Sequence, residues 1–339
     1  MRAATLALVL AVAGTPVCAQ PAAAIASTPP PASAITDMDA VVVSGVQPGP
    51  GMWKVSKGDH VLWVLGVQSP LPEKMEWHSP DVETAISQSQ EVLDQPGLRI
   101  GISPGGIFKA MFALPTLLKV QKLPNEQTLR DVLPADLYAR WSLLKPRYLS
   151  NANKDLERWR PVFAAQALYD AAIRQAGLEN GTVATQVGKL AAAHKLEVTT
   201  TSLSAQITKP RAMAKSFVRS PLDEVDCFRA TLSRLESDVA TTVARANAWA
   251  VGDVGEMARL AGQNDVQACI KTISDAEFMR SLGLDHAESR MEAKWLEAAE
   301  SALARNRSSF AMLSVPHLLG ASSYLARLQA KGYVVEAPH

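Results

Sequence analysis

The sequence predicts a helix-rich α/β protein: a sheet covered by helices, with the chemistry-bearing residues at strand ends. Three observations predict it. Met52-Trp53-Lys54-Val55 and His60–Leu65 read as two short strands around the turn Lys57-Gly58-Asp59. Through the middle of the chain, apolar residues recur at helical spacing. At the end, Phe310-Ala311-Met312-Leu313, a turn, a helix and Tyr333-Val334-Val335 form a β-turn-α-β unit, the building block of a helix-covered sheet.

The elements follow in order. Residues 1–19 carry Arg2, an apolar run from Ala3 to Gly14 and the small-residue end Val17-Cys18-Ala19, the pattern of a secretory signal peptide and too short for a membrane span. Residues 20–48 are rich in Ala, Pro and Ser, with three prolines at 29–31 and no periodicity, and read as a disordered tether. The remaining 49–339 reads as a single domain. After the first hairpin, Val67-Gln68-Ser69-Pro70 breaks into a turn, and Ser79-Pro80 opens a helix expected to reach Leu93. Helices are expected over Gly106–Val120, Pro134–Leu144, Leu156–Ala176, Ala184–His194, Asp223–Val251, Ala287–Arg305 and Ser322–Lys331. Leu196–Thr201 is β-branched and strand-like, and Gly332 stops the last helix.

Composition excludes some functions. The chain has 34 Lys+Arg and 33 Asp+Glu; loss of Arg2 with the leader balances them. A neutral chain without a basic cluster speaks against nucleic acid or an anionic membrane surface as partner. No later stretch is long and apolar enough for a transmembrane segment. There is no Walker-type loop and no GxGxxG. Cys18 leaves with the leader, so Cys227 and Cys269 remain, either as a disulfide or as two buried thiols.

Both ends of the chain, WKVSKGDHVLWVLG and SSFAMLSVPHLLGASSYLARLQAKGYVV, resemble those of the TraB/GumN family. Between them, Trp249-Ala250-Val251-Gly252-Asp253 resembles the family's W-x-x-GD, and Glu288, Arg290 and Trp295 its E-R-N…W segment. The likeness covers about 49–336. It implies an EreA/ChaN-like fold, with related members (Tiki) described as metal-dependent proteases. There, two G-x-x-H elements at strand ends each supply a His, and a Glu after the first helix completes a site for a divalent ion, which activates water.

This sequence departs from that pattern. Ser69 stands where the first His belongs, and Ser314 replaces the Gly of the second element, whose His317 is kept. The Glu position falls on Asp94 or Gln95. The resemblance therefore implies a metalloprotease-type scaffold with a degenerate metal site, expected to be a secreted, periplasmic, non-catalytic or binding protein for a peptide or small molecule. His317 and Asp94 are the candidate metal ligands, for Mn, Co or Zn, although no metal is the favoured expectation. The alternative is a metal-dependent hydrolase with an altered ligand set. Ser69 is also a candidate nucleophile with His317 as its base, a pairing recognised by geometry. A third reading follows from haem-binding ChaN relatives, with His317 as axial ligand.

Overall fold

The computed structural model describes residues 42–104, 120–149, 156–219, 224–237, 239–261, 277–320 and 322–338. They fall in one compact unit, Ala40–His339; a second unit, Met1–Asp39, lies outside the described residues. The expected leader, most of the tether and all but the last residue of the Gly106–Val120 helix also lie outside them. The strands are β1 (Gly45–Gln47), β2 (Trp53–Lys57), β3 (His60–Val67), β4 (Leu71–Pro72), β5 (Met75–Trp77), β6 (Glu91–Leu93), β7 (Leu98–Ile102), β8 (Leu178–Glu179), β9 (Glu197–Thr199), β10 (Leu203–Ile207), β11 (Ser308–Ser314) and β12 (Val334–Glu336).

Six strands form the main sheet, in the order β12-β2-β3-β11-β6-β9. β3, β11, β6 and β9 run parallel; β2 is antiparallel to β3, and β12 to β2. Gly58 and Asp59 close the β2–β3 hairpin, with Gly58 at φ +63°, where glycine meets no steric penalty. β3 buries Leu62 and Val64 in alternation and then every residue from Val64 to Val67, as it passes into the sheet interior. β11, flanked by β3 and β6, is buried from Ser309 to Leu313. Helices Pro80–Ser87 and Ala287–Arg305 pack against these central strands.

The chain is thus a helix-rich α/β protein with mixed sheets, but two elements differ from the sequence expectation. The helix opened by Ser79-Pro80 ends at Ser87, and Glu91–Leu93 is a strand. All three residues of β6 are buried between β11 and β9, and so short an apolar run has no period that separates it from a last helical turn. Glu91 is held there by Asn306 Nδ2 (2.8 Å), Arg305 Nη2 (3.0 Å) and the Thr199 hydroxyl. The expected Asp223–Val251 helix is described over Glu224–Ser237 and Val239–Val251, with residue 238 outside the described residues. They serve different cores: Leu232 and Leu235 join a helical cluster around Trp141 and Phe228, whereas Val243 and Trp249 join the core beside the sheet. The second difference is an additional parallel pair, β7 with β10.

The helical cluster is tied together by Arg160 and Glu224, a buried ion pair with Arg160 Nε donating to Glu224 Oε1 at 2.6 Å. Cys227, one turn beyond Glu224, is buried and disulfide-bonded. Cys18 and Cys269 lie outside the described residues.

Trp249 anchors the helix Val239–Val251 to the sheet. It is fully buried, its ring lies 5.9 Å from that of Trp77, and its Nε1–H donates to the carbonyl of Gly66 at 2.7 Å. Gly66 is glycine for a reason of space: a Cβ there would meet Leu318 Cδ2 at 2.8 Å. Gly252 ends the helix at φ +76°, where a Cβ would meet the Gly49 carbonyl oxygen at 2.7 Å. Asp253 then starts the helix Val254–Ala261, its Oδ1 accepting from Glu256 N at 2.9 Å. The Trp, Gly and Asp of this short motif therefore have structural roles at the end of β3. Trp249→Phe would leave the Gly66 carbonyl without its donor in a dry environment. It should lower the unfolding free energy by about 2 kcal/mol, measured by urea denaturation; a change within about 0.5 kcal/mol would contradict the anchor.

Candidate functional site

A cleft of about 980 Å³ opens at the C-terminal ends of β3, β6 and β11. Ligands of parallel α/β sheets bind at such ends, because the chain leaves the ladder there in loops free to carry side chains. β3 delivers Val67, Gln68 and Ser69; the segment after β6 delivers Gln95; β11 and the turn after it deliver Ser314, Pro316 and His317. The β3–β11 register places Val67 opposite Ser314, so the two loops leave the sheet at the same level.

Pro316 has no N–H to continue a ladder, and β11 gives way to the single helical turn Val315–Leu318. That turn folds His317 back on Ser314. The Ser314 hydroxyl makes no capping bond to the helix backbone and instead lies 2.9 Å from His317 Nδ1. The imidazole is stacked on the ring of Tyr324, 4.9 Å between centroids and 17° from parallel. Tyr324 is the first residue of the helix Tyr324–Ala330, whose start is fixed by Ser323 Oγ accepting from Ala326 N at 3.2 Å. Burial lowers the pKa of His317, against the pull of Glu288 and Glu292. Burial, followed by the same two carboxylates, pushes Tyr324 up to about 12. The imidazole is therefore neutral and the phenol protonated at pH 7. The Tyr324 hydroxyl, in a residue only 4% exposed, has no hydrogen-bond partner among the described residues.

The expected site residues are only partly brought together. Ser69 and His317 line the same cleft, but the Ser69 hydroxyl donates to Asn180 Oδ1 at 3.0 Å, and the hydroxyl on His317 belongs to Ser314. Gln95 lines the cleft and Asp94 does not. Asp94 pairs with Arg99, accepts from Gln95 N at 2.7 Å, and its carbonyl accepts from the Thr201 hydroxyl at 2.6 Å. Arg290 points its guanidinium to the Gly283 carbonyl at 2.6 Å, bracing the turn before the helix Ala287–Arg305. His60 and His78 pair with Asp59 and Glu83 outside the cleft.

Of Glu288, Glu292, Arg234 and Arg245, which also line the cleft, only Glu288 carried a signal in the sequence, as part of the family-like segment. Glu288 and Glu292 come from one turn of Ala287–Arg305, and Glu292 accepts from Arg327 Nε at 3.2 Å. Arg234, whose guanidinium lies 4.5 Å from the Tyr169 ring, and buried Arg245 come from Glu224–Ser237 and Val239–Val251. Only the fold converges these elements.

The donor set does not fit the divalent ion that the family resemblance implies. Such an ion needs three or more imidazole, carboxylate or thiolate ligands at one point. Among the described residues no three His, Cys, Asp or Glu side chains converge in that way. His317 Nδ1 already faces Ser314, and Ser69 and Gln95 offer a neutral hydroxyl and an amide, both weak ligands.

A sequence model of one family, described as the TraB/PrgY/gumN family, matches residues 51–337. No curated protein and no solved structure matches the chain.

The lowered pKa of His317 has a consequence for stability. In the unfolded chain its imidazole regains an ordinary value of about 6.5 and takes up its proton first as the pH falls. Stability should be full above that value and decline as the pH drops through it towards the folded pKa. The urea midpoint should therefore fall between about pH 7 and pH 5, and His317→Gln, which cannot take the proton, should flatten the fall. The same pH profile in both proteins would contradict the buried, neutral imidazole.

Proposed function

The chain belongs to the TraB/PrgY/gumN family, and on that premise we propose that it is an exported ligand-binding protein on a metalloprotease-type scaffold whose metal-ligand set is incomplete. One observation carries this reading: among the described strand-end positions that face the cleft, His317 alone offers a strong metal ligand, whereas Ser69 and Gln95 do not. We read the main sheet, with loops at parallel strand ends around one cleft, as an EreA/ChaN-like arrangement. The ligand is a peptide or small molecule. A cleft of about 980 Å³ lined by both polar and apolar groups supports that size class.

Export to the periplasm is supported by the apolar leader 1–19 followed by the Ala/Pro/Ser-rich 20–48, ahead of the domain 49–339. A disulfide at Cys227 suits an oxidising compartment. Among the described residues no helix is long and apolar enough to cross a membrane.

Two measurements test the reading. The first is isothermal titration with manganese, cobalt and zinc. The unmodified protein should bind weakly or not at all, and Ser69→His with Gln95→Glu should raise affinity by about tenfold or more, since two strong ligands join His317. Asp94→Ala should change nothing, because Asp94 faces Arg99. Tight stoichiometric metal in the unmodified protein would overturn the proposal. The second is mass spectrometry of the exported protein without reductant. It should find Gln20 at the N-terminus and the Cys227 and Cys269 peptides linked. A retained leader, or two alkylatable thiols, would refute export by this route or the bridge.

A further inference from the structure

We propose that Ser314 and His317 form a nucleophile–base pair that transfers an acyl group from a carboxylic ester bound in the cleft. The geometry has four parts. Ser314 is the last residue of β11, at the mouth of the cleft, and its Oγ lies 2.9 Å from His317 Nδ1, within the reach that a base needs to take a hydroxyl proton. A serine at the start of a helix ordinarily turns its oxygen to the backbone N–H groups of the first turn; this one makes no such bond. The imidazole is held in orientation by its stack on Tyr324. The hydroxyl of Tyr324, buried in the cleft wall without a partner among the described residues, is a donor awaiting an acceptor oxygen.

The step balances without a further reagent. Ser314 Oγ attacks the ester carbonyl carbon and its proton passes to His317 Nδ1. The carbonyl oxygen gains the negative charge and accepts from the Tyr324 hydroxyl. The bond to the alcohol oxygen breaks, the alcohol leaves with the proton from His317, and the acyl group stays on Ser314. Water then attacks the acyl-serine and gives its proton to His317; the carboxylic acid leaves and Ser314 regains its proton. Glu288 and Glu292, on the facing helix, favour the imidazolium that forms in both halves. Ser69 has no part in this, because its hydroxyl is committed to Asn180.

The proposal shares with the preceding section the premise that the cleft takes a ligand, and adds covalent chemistry that uses no metal. The test is labelling of the purified mature chain with a biotinylated fluorophosphonate, followed by intact-mass and peptide mapping. One adduct per chain on Ser314 is expected. Ser314→Ala should take none, His317→Gln should slow labelling by about 100-fold or more, and Ser142→Ala, at an exposed serine outside the cleft, should label as the parent does. Tyr324→Phe should lower turnover of p-nitrophenyl acetate by about 100-fold. The proposal is overturned by a parent protein with a cooperative thermal transition that takes no adduct, by an adduct at another residue, or by labelling that survives Ser314→Ala. Should Ser314→Ala not fold, the site of the adduct in the parent decides alone. Tight metal in the unmodified protein would sink the binding reading, whereas absence of an adduct sinks only acyl transfer.

Discussion

The hydrogen bond from the Trp249 indole to the Gly66 carbonyl is the constraint on which the cleft depends. It joins the helix Val239–Val251 to the last turn of the sheet before β3 ends, where every side chain is buried and no water can substitute for the donor. Space as well as bonding fixes the junction. Gly66 admits Leu318 from the turn after β11, and Gly252 admits the backbone of Gly49. A side chain at Gly252 would collide with the Gly49 backbone, and one at Gly66 would force Leu318 to shift. The loops carrying Ser69 and His317 thus issue from a rigid corner, as a site built on strand ends requires.

What the corner presents is a different set of groups from those a metal would need. A metal site gathers several strong ligands on one point and orients each through a hydrogen bond on its far side. Here the imidazole spends its Nδ1 on a hydroxyl three residues away, its face on a phenol ring, and its local field on two glutamates. Arg327 balances one of those glutamates, and Arg234 and Arg245 bring positive charge to the opposite helical side. Such a cleft suits a polar ligand held by several directed contacts. Among the described residues, the buried Tyr324 phenol without a partner is the place where a ligand oxygen fits best.

Much of this was legible in the sequence, and the rest was not, for physical reasons. The β2–β3 hairpin carried a two-residue glycine turn between alternating strands, and the closing unit from Phe310 to Val335 carried a strand, a helix and a stopping glycine. Ser69 and His317 could be placed at strand ends because those ends are marked by apolar runs that break at proline. β6 was hidden because three buried residues have no period. That the residues of 224–251 divide between two cores was hidden because they continue one apolar stripe. The choice between Asp94 and Gln95 turned on which way one residue faces, and Arg99 decided it. The Ser314–His317 contact lay in plain spacing, but it appears only once the strand is seen to pass into a single turn of helix.

The central claim is that this strand-end cleft is organised around a serine-bound imidazole and not around a metal. Anomalous diffraction from crystals grown with manganese addresses it directly. The account predicts no ordered metal peak within bonding distance of His317, whose Nδ1 should lie within hydrogen-bond reach of the Ser314 hydroxyl. A strong anomalous peak ligated by His317, with the Ser314 hydroxyl turned away, would contradict it.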